Sequence, residues 1–97
     1  MINDLQKGRD FYYRITEKER LVSYTNDDLS ALIDFYKILK GQDCDKWTEM
    51  YGQLTQRQQL FLILEAEGYS DDDIAEALCI TKTSVRSTRS RIKNKQK

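Results

Sequence analysis

LTQRQQLFLILEAEGYSDDDIAEALCITKTSVRSTRSRI, residues 54–92, decides how this 97-residue chain is read. Its centre, DDIAEALCITKTSVRS (72–87), predicts two short helices joined by a tight turn, with a third helix in front. The first of the pair runs from Asp71 to about Leu78, with Ile74, Ala75 and Leu78 on one face. Cys79, Ile80 and Thr81 form the turn. Thr81 is a residue type whose oxygen satisfies a free N–H at a helix start, and it opens the second helix. The inward stripe of that helix is Val85, Thr88 or Arg89, and Ile92. A small side chain at Ala75 suits two helices that cross steeply, and Ile80 and Val85 plug the same core. Two helices joined by so short a turn make a helix-turn-helix, whose second helix can enter a DNA major groove.

The outer face of the second helix has its own chemistry. With Val85 inward, steps of about 100° per residue turn Thr83, Arg86, Ser87, Ser90 and Arg91 outward or sideways. A solvated helix face usually mixes both signs, whereas this one is basic plus hydroxyl. Residues 80–97 hold seven basic side chains and no acidic one, while 65–76 hold six acidic and no basic one. The zero net charge of the chain therefore hides a basic end beside an acidic segment. Lysine and arginine neutralise phosphates, and hydroxyls hydrogen-bond phosphates or bases. Arg86 is the candidate for a base edge, since its fork pairs with guanine. Lys82, Thr83 and Ser87 come next, and Lys93 and Lys95 suit phosphate.

Moving outward, residues 54–67 predict the central, most buried helix, because Leu60, Phe61, Ile63, Leu64 and Ala66 cover more than one face. Gly68 ends it. Ser70 caps the next helix, with Asp71 to Asp73 against its positive dipole end. Upstream, Thr25 to Asp28 starts a helix whose stripe is Leu29, Leu32, Ile33, Tyr36 and Leu39, closing at Lys40 with Gly41 just beyond it. A loop at 42–45 follows. Asp43 or Asp45 then caps a helix carrying Trp47, Met50 and Tyr51 and ending near Gly52. In residues 1–24, Leu5, Phe11, Tyr12, Ile15 and Leu21 fall at helical spacing. One helix is expected near 4–14, weakened at Gly8, which costs about 1 kcal/mol against alanine. A second is expected over 17–24, from a capping box at Thr16 and Glu19. The tail 94–97 is expected to fray. The whole reads as all-α, in about five to seven helices: an N-terminal helical extension over 1–53 and a helix-turn-helix domain over 54–97.

Composition excludes several classes. One domain of this size forms a modest core without a deep enzymatic cavity. The chain has no histidine, so a Ser or Cys nucleophile lacks its usual base, and no glycine-rich phosphate loop is present. No enzyme and no cofactor are expected. Cys44 and Cys79 make neither a disulfide framework nor a zinc site, and read as reduced, partly buried packing residues. Asp71, Asp72 and Asp73 point in different directions on a helix and are not expected to hold a metal. Tyr36, Trp47 and Tyr51 read as core, with Tyr12, Tyr13 and Tyr24 left as candidates for an exposed interface. No apolar run approaches the roughly 18–20 residues that span a membrane. The N-terminus lacks the apolar region of a signal peptide, so a cytoplasmic protein is expected.

Taken together, Leu54-Thr55, Arg57-Gln58, Gly68, Ser70, Ile74-Ala75, Leu78, Ile80-Thr81 and Ser84-Val85-Arg86 resemble the DNA-binding domain of the LuxR/GerE regulators. The ending Val85-Arg86-Ser87-Thr88-Arg89-Ser90-Arg91 is similar also to region four of the sigma factors. The resemblance covers 54 to about 95. It departs at Gln58, where the family usually has Glu, at Cys79, where Gly is common and a left-handed backbone is favoured, and at Thr88, where the LuxR type often has His. It implies a four-helix DNA-binding transcription module of bacterial or phage origin, with double-stranded DNA as partner. It also implies a phosphate contact near Thr55 and Arg57, for which a helix cap alone is the competing reading.

The expected function is a sequence-specific transcriptional regulator that inserts a helix over about 82–93 into the major groove. The alternative is a sigma-like or adaptor module that acts by contact with RNA polymerase or another regulator. A third reading is the DNA-binding portion of a recombination or mobile-element protein. Residues 1–53 carry 8 basic and 10 acidic side chains, so they are not an extra basic arm. Their expected role is pairing into a homodimer or binding a partner, because one recognition helix reads only a few base pairs.

Overall fold

The computed structural model describes residues 2–21 and 24–96, and within them the chain forms six helices and no strand. These are α1 (Ile2–Thr16), α2 (Asn26–Leu39), α3 (Gly41–Tyr51), α4 (Gln56–Ala66), α5 (Asp71–Leu78) and α6 (Lys82–Lys93). The all-α reading holds, and α5, α6 and the turn between them lie where the hydrophobic spacing predicts.

The helix starts follow from local chemistry. Thr25 with Asp28, Thr55 with Gln58, and Ser70 with Asp73 each form a reciprocal capping box. Thr81 caps α6 by accepting the Ser84 N–H at 3.1 Å. The helix ends follow a second rule. After α1, α4 and α5 the chain turns back through a left-handed residue: Lys18 (φ 55°), Gly68 (φ 91°) and Cys79 (φ 55°). At each, the next residue's N–H bonds five residues back: Glu19 to Arg14, Tyr69 to Leu64 and Ile80 to Ala75. Last-turn carbonyls are thereby satisfied, and Leu64 and Tyr69 pack as an apolar pair in the core beneath the second turn.

Among the described residues one core joins the N-terminal and C-terminal helices. It runs from Phe11 and Ile15 on α1 through Leu29, Leu32, Ile33 and Tyr36 on α2 to Ile74, Val85 and Ile92 on α5 and α6. Five consecutive residues of α4, Leu60 to Leu64, are buried, so this helix is central as expected. Ala66, expected among its apolar residues, is exposed at the last turn.

Several expectations are corrected. The helix over 17–24 does not form. Thr16 donates its hydroxyl to the Tyr13 carbonyl instead of capping, Lys18 turns the chain left-handed, and residues 19–21 form no regular element. Positions 22 and 23 lie outside the described residues. Leu21 is buried, and its N–H donates to the Ala77 carbonyl at 2.8 Å. Gly41 follows the α2 C-cap Lys40 as expected but is itself the first residue of α3, and the loop at 42–45 is absent. Lys40 alone joins the helices, its carbonyl receiving the Asp43 N–H while its ammonium reaches Glu67 at 2.9 Å. Neither Asp43 nor Asp45 caps α3. Leu39 is 49% exposed and Met50 37%, because α3 contributes only half-buried Cys44, Trp47 and Tyr51 to the core. Trp47 stacks on Tyr36 at 5.9 Å.

Gly8 is not merely a weak point of α1. It is buried where α1 crosses α2, and an added Cβ would lie 2.8 Å from the Phe35 Cβ and in collision with the Ala31 carbonyl. On α5 the buried small residue is Ala77, with Ala75 and Leu78 half-buried, because Leu21 lies against that side. Cys79 is exposed rather than partly buried. Tyr12 and Tyr24 are half-buried: Tyr12 donates to Glu67 at 3.0 Å, and Tyr24 meets Phe11 edge-on, leaving Tyr13 exposed. Most of the expected fraying tail is tethered, since Lys95 donates to the Gln53 carbonyl at 3.2 Å and to Gln58 Oε1 at 2.7 Å. Position 97 is outside the described residues.

Candidate nucleic-acid interface

Helix α6 is fixed from beneath by Val85 and Ile92, which are 0% and 2% exposed. A third anchor is polar. The Arg89 guanidinium lies 5.4 Å over the Phe61 ring and donates to Glu65 at 2.6 and 3.0 Å and to Asp71 at 2.5 Å. These bonds join α6 to α4 and α5 and hold Arg89 charged, and they also hold the Asp71 carboxyl below its ordinary range. Arg89, one of the two candidates for the inward stripe, thus takes that side as a clamp.

All nine candidate contact residues are exposed: Lys82, Thr83, Arg86, Ser87, Ser90, Arg91 and Lys93 on α6, and Thr55 and Arg57 at the start of α4. Thr83, Ser87 and Ser90 form the outer crest of α6, with Arg86 on one flank and Arg91 on the other. A cleft of about 400 Å³ beside the second flank brings Thr55, Arg57 and Arg91 together with Ser84 and Thr88. Ser84 and Thr88 recur with Arg91 at the spacing of one helix flank, a signal in the sequence that would have added both to the outward-facing set. Thr88 also donates to the Ser84 carbonyl at 3.0 Å.

The structure does not gather every candidate in one place. Lys93 lines a separate recess with Tyr51, Glu65 and Arg89. Lys82 lies on the flank facing α5, with its ammonium 2.7 Å from Asp72. The Lys95 ammonium, read as a phosphate contact, is instead engaged by Gln53 and Gln58. Among the described residues, Arg57, Arg86, Arg91 and Lys93 have no ion-pair partner. The hydroxyl of Thr55 accepts the Gln58 N–H at 3.1 Å, so this exposed residue also caps α4. Each of the three consecutive aspartates has its own protein partner: Asp71 the Arg89 guanidinium, Asp72 the Lys82 ammonium, and Asp73 the Ser70 N–H and Lys18.

A short α5, a tight left-handed turn and a basic, hydroxyl-bearing α6 packed on α4 define a helix-turn-helix domain. Residues 52–97 match the GerE family, described as bacterial regulatory proteins, luxR family, and this segment is a LuxR/GerE-type DNA-binding domain. No curated protein and no solved structure matches the chain. Among the described residues, no helix is long and apolar enough to cross a membrane.

Proposed function

We propose that the chain is a sequence-specific transcriptional regulator that lays α6 into the major groove of double-stranded DNA in the bacterial cytoplasm. One observation carries this reading. Lys82, Thr83, Arg86, Ser87, Ser90, Arg91 and Lys93 of α6 are all exposed, while Val85, Ile92 and Arg89 hold the opposite side in the protein. Arg86 reads a base edge, with Thr83 and Ser87 beside it on the crest. Arg91, with Thr55 and Arg57 across the cleft, holds one backbone strand, and Ser90 and Lys93 add phosphate contacts. Residues 1–53 pair two copies, which lengthens the site read.

Selection of bound duplexes followed by gel-shift titration tests the reading. Arg86→Ala weakens the selected site by about 1–3 kcal/mol and relaxes discrimination there, whereas Lys93→Ala weakens selected and random duplexes alike. A chain that binds no duplex at low salt ends it.

A second reading, an adaptor that works mainly by contact with RNA polymerase or another regulator, is favoured by a different face. Leu5 and Ile38 are 46% and 70% exposed, and they line one apolar recess with Phe35, Gln6 and Arg9. Exposed apolar clusters of this kind mark protein contacts. Recovery of polymerase by the wild type but not by Ile38→Glu, without detectable binding to free DNA, decides for it.

A further inference from the structure

Asp72 stands at the start of α5 with its side chain 71% exposed, and it meets the first residue of α6, Lys82, which is itself 55% exposed. So open an ion pair contributes little to stability. The fold does not need it to join α5 to α6, because Val85 is buried and Arg89 already bridges Asp71 and Glu65. Its neighbours differ from it in this respect, since Asp73 closes the cap on Ser70 and Asp71 takes the Arg89 clamp. What Asp72 does change is the charge of the recognition face. It places a carboxylate 2.7 Å from the only cation in the first turn of α6, on the flank that also carries Arg86.

We propose that Asp72 is a counter-charge that withholds Lys82 from DNA phosphates and so lowers the sequence-independent affinity of the α6 face. The proposal rests on the DNA reading above and adds a residue that sets how strongly arbitrary duplex is held. A phosphate that takes Lys82 must first displace Asp72 and then lie against its negative charge. Discrimination is thereby left to Arg86 and the hydroxyl crest.

The test is binding of full-length protein to a random-sequence duplex across a salt series, for wild type, Asp72→Asn, Lys82→Met and the double variant. Thermal melts of each confirm that it is folded. Asp72→Asn is expected to tighten random-duplex binding about threefold to tenfold near 0.1 M salt, and to steepen the log–log salt dependence by about 0.9, the increment for one more neutralised phosphate. In the Lys82→Met background the same substitution is expected to gain less than about twofold, since no withheld cation remains to release. An unchanged or weaker Asp72→Asn overturns the proposal and leaves the DNA reading standing. Equal gains in both backgrounds also overturn it, because Asp72 then repels DNA without acting through Lys82. A wild type that binds no duplex overturns both.

Discussion

Cys79 closes α5 with φ 55° and ψ 45°, a conformation that side chains with a Cβ adopt at a cost of roughly 1–2 kcal/mol. Its thiol faces solvent and only brushes the Glu76 carbonyl at 3.8 Å, so little packing is lost by removing it. Cys79→Gly should therefore stabilise the chain by about 0.5–1 kcal/mol, the strain relieved less the added freedom of glycine in the unfolded chain. Urea denaturation at neutral pH reads this directly. The same residue shows what could be foreseen. The left-handed requirement of the turn was visible because Cys79 stands where glycine is common. The equivalent requirement at Lys18 was not, because nothing adjacent to a lysine announces a positive φ. Gly8 illustrates the opposite limit. Its cost to a lone helix follows from its type, but its use depends on Ala31 and Phe35, and residue spacing on α1 contains no trace of that crossing.

Among the elements, α6 was the most legible. Its boundaries follow from Thr81 at the start and from a stripe too sparse to bury more than Val85 and Ile92, and its outer face follows from helical rotation alone. The joints were not legible. Lys40 connects α2 to α3 without a loop, with its ammonium on Glu67, and residues 17–21 leave the helix in a left-handed turn at Lys18 that carries Leu21 to α5. In the candidate site, side chains facing away from the core follow from helical rotation, but the partners that Lys82 and Lys95 find, Asp72 for one and Gln53 with Gln58 for the other, do not. The polar pins between elements also set an acid response. The Arg89 guanidinium lowers the Asp71 carboxyl, and the Ser70 N–H together with Lys18 lowers Asp73. Folded values below unfolded ones mean that this stabilisation is complete above about pH 5 and is lost as pH falls through the depressed values. Urea midpoints should thus drop between about pH 5 and pH 3, and Asp71→Asn with Asp73→Asn should flatten that limb. A limb of unchanged steepness in the double variant counts against these pins.

For the molecule as a whole, the family match begins at residue 52, yet the hydrophobic core continues through α1 and α2. Tyr69, at the turn before α5, donates its hydroxyl to the Ile15 carbonyl at 2.7 Å, and burial pushes that phenol up to about 12. Gln56 at the start of α4 donates to Ser30 on α2 at 2.6 Å. A 60-residue domain is already marginal, burying only about 60% of its unfolded surface, and residues 52–97 are fewer still. The isolated 52–97 segment should therefore lack the sharp thermal transition of the full chain, as circular dichroism melts would read. A segment that melts as cooperatively and as late as the full chain would refute this.

The Leu21 N–H on the Ala77 carbonyl has a practical side. Anyone joining the family-matched segment to a different domain would choose a junction near residue 52, and the resulting chimera would arrive with one α5 carbonyl facing water and an empty slot where Leu21 belongs. Keeping residues 19–21 as a separate strap, or supplying another extended apolar donor at that slot, is the condition for the transplant to keep the angle at which α6 is presented.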